Sequence, residues 1–297
     1  MKSIYKFIAY SLLILFVTSC DENLYETEQY KKEIYLVGAY NMVWTANVMY
    51  SHEEFESHFT ISSSGSVPLD KDVDVSLIVN NALVDSYNKK YLGIMNIDKY
   101  YKPLDNTLYN IPSLAQNTIR HENGISVNVP LFIRTEALEV DSPYVIPVAI
   151  ENTTVYPVNE SGRKMLILLN LQNQYSGNYK MDGYMKEAGK EPRRIQKPKA
   201  VTATGVNDIR IFYAMNNDSK EKADILSKTI KVSISDENVV GSDKIKKVTV
   251  KAWDAKSLTV SDSGEGTYNP ETKMFYLKYT VAGTEYEEKL VREKEII

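Results

Sequence analysis

This 297-residue chain has a single cysteine, Cys20. That excludes an internal disulfide and every zinc or iron–sulfur site built from several cysteines. Its three histidines, His52, His58 and His121, are scattered, with no HExxH or paired metal-binding spacing. Glycine-rich phosphate loops are missing, and so is the G-x-S-x-G elbow that presents a nucleophilic serine. Neither sign of charge is in excess: 35 basic residues stand against 39 acidic ones, a net charge of -4. Without a basic face to follow a phosphate backbone, the composition argues against nucleic acid as a partner. Fixed-period repeats and low-complexity segments are also lacking, and the one long apolar run, residues 7–17 (FIAYSLLILFV), is too short to span a bilayer.

Tyrosine, in contrast, is abundant: 22 Tyr against 7 Phe and 2 Trp. Tyrosine and β-branched residues favour pleated, half-exposed strands, so the composition predicts an all-β protein. The apolar run follows Lys2 and Lys6 and has the length of a signal-peptide core. Residues 1–20 therefore read as a lipoprotein signal peptide. Val17-Thr18-Ser19-Cys20 resembles the bacterial lipobox, which makes Cys20 the lipidation site. The alternative is an ordinary cleavage site with a chance cysteine. Diacylation with N-acylation, by palmitate-type chains, supplies the two or more chains that stable anchoring needs. Asp21 and Glu22 resemble the surface-export signal of Bacteroidetes lipoproteins, although solvated acids also suit any linker. Residues 21–33 then form a tether.

Residues 34–172 read as one β-domain, with strands expected at 34–39, 59–62, 73–79, 125–133, 144–150 and 164–171. In the third, Val73, Val75, Leu77 and Val79 share one face and Asp72, Asp74 and Ser76 the other. This is the alternation of a half-buried antiparallel strand. Residues 80–91 (NNALVDSYNKKY) carry helical spacing, with Asn80 or Asn81 as a cap. The expected fold is a sandwich with a short inserted helix. Residues 173–297 form a second domain, with strands expected at 179–186, 199–204, 208–214, 229–235, 246–252, 258–261, 274–282 and 285–292. The last two flank the tight turn Ala282-Gly283-Thr284. An antiparallel barrel is expected there, its closure hiding the strand edges.

Three segments, DVDVSLIVNNALVDSYN, ENGISVNVPLFI and SPYVIPVAIEN, resemble the N-terminal immunoglobulin-like domain of a family of Bacteroidetes outer-membrane lipoproteins. This domain precedes certain endo-β-N-acetylglucosaminidase-like lipoproteins and many non-catalytic proteins of Sus-type glycan-utilisation systems. The stretch YNPETKMFYLKYTVAGTEYEEKLVR resembles the terminal hairpin of the lipocalin-like β-domain that accompanies it. The resemblance implies an Ig-like sandwich and a place on the outer membrane facing the cell exterior, without implying catalysis.

Each candidate for chemistry has a plainer alternative. Asp70, Asp72 and Asp74 imitate half a calcium loop, but Val75 stands where the loop needs glycine, and strand alternation explains the series. His52 and His58 with Glu53, Glu54 and Glu56 form an acidic turn rather than a converging metal site. Glycoside hydrolysis needs two carboxylates at fixed separation, and the D-x-x-D-x-D-x-E strand motif of the related chitinase-like barrels is missing. No catalytic residue, metal or cofactor is therefore expected. What remains is binding, in which an aromatic face stacks on a pyranose and polar side chains hold its hydroxyls. Trp253 with Asp254, at the end of an alternating strand, is the leading platform, with Tyr184, Tyr268 and Asn269 as companions. Tyr213, Asn216, Asn217 and, on the first domain, Trp44 follow. The alternative for each aromatic is a packing role. The expected function is a non-catalytic surface lipoprotein that binds glycans for a Sus-type polysaccharide or host-glycan utilisation system, partnered by its transporter complex. The alternative is a structural or adhesive protein with a protein partner.

Overall fold

A computed structural model describes residues 28–293, so Cys20, Asp21 and Glu22 lie outside the described residues. Within them, ten strands build the first unit: β1 (Ile34–Leu36), β2 (Val43–Met49), β3 (Phe55–Ser63), β4 (Val73–Val79), β5 (Lys102–Pro103), β6 (Tyr109–Asn110), β7 (Asn117–Ile119), β8 (Ser126–Ile133), β9 (Tyr144–Thr153) and β10 (Lys164–Gln172). They form two facing sheets, ordered β1-β3-β8-β6 and β2-β10-β9-β4-β7, with β5 added alongside β9. This is the immunoglobulin-like sandwich. Its core takes Ile61, Val75, Leu131, Ile133, Val148 and Ile167 from the two inner faces.

Strands β9 and β10 are apolar on both faces, as VIPVAI and MLILL show. The reason is a third layer: helix α1 (Ala82–Tyr87) lies on the outer face of their sheet, where Val84 packs with Val145 and Leu166. Strands covered on both sides lose their polar alternation. The inserted helix read from residues 80–91 is thus present, extended by a π-helical turn over Asn88–Leu92. Strand β2 was not expected, because Asn47 and the half-buried Trp44 blur its period, yet it pairs in parallel with β10 along its whole length.

The second unit comprises β11 (Gly177–Lys186), β12 (Arg193–Ala203), β13 (Asp208–Phe212), α2 (Lys222–Lys228), β14 (Thr229–Asn238), β15 (Lys246–Ala252), β16 (Val260–Asp262), β17 (Thr267–Asn269), β18 (Met274–Val281) and β19 (Thr284–Arg292). Among the described residues, eight of its strands close a ring in the order β11-β12-β13-β14-β15-β17-β18-β19, and β19 returns to β11 over eight residue pairs. Closure leaves the ring without edges. Strand β17 takes the place expected for residues 258–261; the strand there, β16, pairs only with β18. With a single inward residue, Tyr268, β17 is too short to display a period. The β18–β19 turn puts Ala282 (φ 48°) and Gly283 (φ 79°) in the left-handed region, as a two-residue type I′ hairpin requires.

The barrel is filled rather than hollow. Tyr179, Phe275 and Tyr279 are among its largest fully buried side chains, packed with Met181, Ile230, Val232, Val250 and Leu290. At its junction with the sandwich, the buried Arg210 of β13 makes a two-pronged ion pair with Asp141, at 2.5 and 2.7 Å. Ala203 and Val206 join the sandwich core, so apolar packing and one charged clamp both tie the units together.

Candidate functional site

The residues singled out in the sequence do not converge. Tyr268 was expected on the surface, but it is only 4% exposed. It faces the barrel interior against Phe275 (4.5 Å between ring centres) and Tyr175 (5.0 Å), because β17 turns it inward with the rest of the buried row. Asn269 Oδ1 is spent on the turn, accepting from the N–H groups of Glu271 and Thr272. Asp254 accepts from Ser257 Oγ at 2.5 Å, a bond that holds its carboxyl below the usual range. Trp253 does point outward from β15, as strand parity predicts, but the Arg210 guanidinium lies over its ring at 4.8 Å. One face of the leading platform is therefore taken by the same arginine that clamps the domains. Tyr184 is 51% exposed on β11, four strands away from β15 in either direction around the ring. Tyr184 and Trp253 thus stand on opposite walls.

The companions are likewise engaged in the fold. Tyr213 meets Tyr286 edge to face at 5.9 Å, and Asn216 and Asn217 bond within their loop and to Lys197. Trp44 packs on the sandwich core and over Gly38, where a Cβ would come within 2.7 Å of its ring. Asp70, Asp72 and Asp74 turn to separate partners, Tyr156, His121 and Thr118. Among the described residues no three His, Cys, Asp or Glu side chains gather as a metal site.

The concave surface lies elsewhere, at the loop end of the sandwich. A groove of about 720 Å³ opens between the end of β4, the start of α1 and the β5–β6 loop. Its floor is apolar: Leu104 and Ile111 are buried, and Val79, Pro103, Leu114 and the half-buried ring of Tyr109 complete it. Its rim carries Asn81, Asp105, Asn106 and Asn110. None of the three Asn amides makes a side-chain hydrogen bond within the described residues, Asn81 included although it stands at the helix start. Asp105 is fixed by its own turn: Oδ1 accepts from the Thr107 N–H at 2.8 Å and from Thr107 Oγ1 at 2.7 Å. These two bonds hold its carboxyl below the usual range, while burial and the nearby Asp105 charge push the Tyr109 phenol up. An amide both donates and accepts, as a sugar hydroxyl does. The arrangement is an apolar floor, one aromatic ring and unspent amides, which suits a polyhydroxylated ligand.

A second cleft of about 400 Å³ is lined by Ser51, His52, Glu53, Glu54, Leu108, Arg134 and Glu136. Four of its side chains are already paired, His52 Nδ1 with Glu136 at 2.7 Å and Arg134 Nε with Glu54 at 2.9 Å, beside the carboxylate of Glu53. Inside the barrel, Glu288 is fully buried, and its Oε1 accepts from Tyr279 OH (2.9 Å) and the Ala214 N–H (2.8 Å). Lys199, also buried, donates to the Phe212 carbonyl, and burial pulls its ammonium down to about 8. These groups hold the loop after β13 on the barrel. No signal in the sequence marked the groove, whose rim residues come from two loops without periodicity.

An immunoglobulin-like sandwich carrying a surface groove and joined to a closed eight-strand barrel defines a class of two-domain, all-β proteins. A family model described as an N-terminal domain matches residues 30–157, and its C-terminal counterpart matches residues 163–295. The chain belongs to this two-domain family. Similar solved structures include two proteins of unknown function from Bacteroides ovatus. One has TM-score 0.59 and 15% identity over 90% of this chain and 96% of that one; the other has TM-score 0.57 and 14% identity over 92% of each. An auxiliary nutrient binding protein from Bacteroides thetaiotaomicron has TM-score 0.55 and 11% identity, over 92% of this chain and 93% of that one. At these identities the likeness is one of fold. No curated protein matches the chain in sequence.

Proposed function

We propose that the protein is a non-catalytic surface lipoprotein that captures glycans for a Sus-type utilisation system, with the sandwich groove as its binding site. The carrying observation is the rim of three unpaired Asn amides and Asp105 around an apolar floor with Tyr109. A fold relative described as an auxiliary nutrient binding protein supports the same reading. So does the orientation of the sandwich. Lys32, at the end of the tether, reaches Asp70 (3.4 Å) and the Pro68 carbonyl (2.7 Å) just before β4, whereas Asn81 follows its other end. The strand between spans roughly 23 Å at about 3.3 Å per residue, so the groove lies at the end of β4 opposite the one nearest the tether.

The test is a glycan array and affinity gels with protein starting after Cys20, comparing wild type, Asn106→Ala/Asn110→Ala and Trp253→Ala. Binding abolished by the groove substitutions and kept by Trp253→Ala is expected. Binding that follows Trp253 instead would move the site to the barrel.

One observation favours the adhesive alternative. Ile94, Met95 and Ile97, in the turns after α1, are 76%, 94% and 67% exposed, and a protein partner would cover them. Loss of cell-surface adhesion, but not of glycan binding, in Ile94→Ser/Met95→Ser would establish that role.

A further inference from the structure

The charge of the groove limits what enters it. Among its lining residues the only ionisable side chain besides the Tyr109 phenol is Asp105. Two basic residues beside its loops are engaged with other partners: Lys102, next to Pro103 in the chain, donates to Ser142 Oγ at 3.1 Å, and the Arg134 guanidinium is bonded to Glu54. Asp105 cannot be neutralised cheaply, because the Thr107 N–H and hydroxyl both stabilise its charged form through Oδ1. Its Oδ2 has no hydrogen-bond partner among the described residues. A carboxylate with one oxygen locked and one open accepts from a hydroxyl and repels another anion.

Resting on the glycan reading above, we infer that the groove takes uncharged saccharides, and that Asp105 is the residue that discriminates against carboxylated or sulfated ones. The open oxygen accepts from a sugar hydroxyl, and the three amides take the neighbouring hydroxyls. No lining residue is a cation that could pair with a uronate or a sulfate, so an acidic chain would bring its charge to the carboxylate without compensation from the groove. A unit charge at contact distance in water is worth on the order of 1 kcal/mol, or about fivefold in affinity.

The experiment titrates wild type and Asp105→Asn with polysaccharides that share a backbone and differ in charge. The probes are methyl-esterified and de-esterified polygalacturonan, dextran and dextran sulfate, and neutral mannans and xylans. Asparagine keeps the acceptor that Thr107 uses, and thermal melting reports whether the variant is folded. The expected result is that wild type prefers the neutral form of any backbone it binds by about fivefold or more, and that the preference shrinks toward unity in Asp105→Asn. Wild-type binding of the neutral form should also be insensitive to salt. An acidic form that binds wild type as tightly as its neutral counterpart overturns the inference and leaves the glycan reading intact. A preference that persists unchanged in Asp105→Asn removes Asp105 from the role. No binding by any probe counts against the glycan reading itself, and the inference falls with it.

Discussion

The two domains use the same abundant residue in opposite ways. In the barrel, Tyr175, Tyr179, Tyr268, Tyr279 and Tyr286 are all buried and pack, edge-on, tilted or stacked, against one another or against Phe275. In the sandwich, Tyr109 lines the groove, while Tyr87, Tyr91 and Tyr101 sit stacked in the outer helical layer. A closed barrel of eight strands has an interior that side chains fill, so its inward-facing tyrosines become core. A sandwich is open at its loop ends, and there aromatic rings and amides remain available to a ligand. Richness in tyrosine therefore predicts the fold of both domains and the binding site of neither.

Substitutions can break this contrast. The largest effect is expected from Phe275→Ala, which removes the ring at the centre of the barrel cluster and should cost about 3–5 kcal/mol in denaturant unfolding. Tyr109→Ala in the groove should cost clearly less stability while removing glycan binding. Comparable losses at the two sites would erase the distinction between a packed barrel and an open sandwich end. Next comes Arg210→Ala, which leaves Asp141 without its partner and uncovers Trp253. A loss of about 1.5–3 kcal/mol and a red-shifted tryptophan emission are expected, with glycan affinity unchanged because the groove lies on the sandwich alone.

The buried charges of the barrel give a sign that can be checked. The Lys199 pKa falls from 10.5 in the unfolded chain to about 8 in the folded protein, chiefly through burial. Between those values the unfolded state binds more protons, so this group's contribution to stability is present above pH 10.5 and is lost as pH falls through 8. The stability difference between wild type and Lys199→Met should therefore move in favour of wild type as pH rises from 8 to 10.5; a flat difference would place Lys199 in contact with water. The smallest effect belongs to Ala282→Gly. It relieves a left-handed alanine in the β18–β19 turn and should stabilise the barrel by about 0.5 kcal/mol, the turn strain less the entropy glycine loses on folding.

What could be read from the sequence follows from where the pattern is regular. Strands β4, β15 and β18 alternate, and in β4 Val73, Val75 and Leu77, expected to share one face, are buried, with Val79 half-buried at the strand's end. Alternation sets Trp253 off the inward row, and it lies half-buried outside the barrel core. The pattern could not show what covers that ring, because Arg210 arrives from β13 and is held by Asp141 of the other domain. Strand β17 escaped notice for want of length, and β2 because Asn47 and Trp44 break its period. The groove stayed hidden for a related reason. Asn81 stands at a helix start, while Asp105 and Asn106 sit in a loop and Asn110 ends β6, and only the pairing of β5 with β9 and of β6 with β8 brings them to one rim.

Hydrogen exchange with and without the highest-affinity glycan from the array tests the central claim most directly. Protection confined to residues 79–82 and 103–114 is predicted, with the barrel unchanged. Protection around Tyr184 or Trp253, with the groove silent, would contradict the account and return the binding site to the barrel.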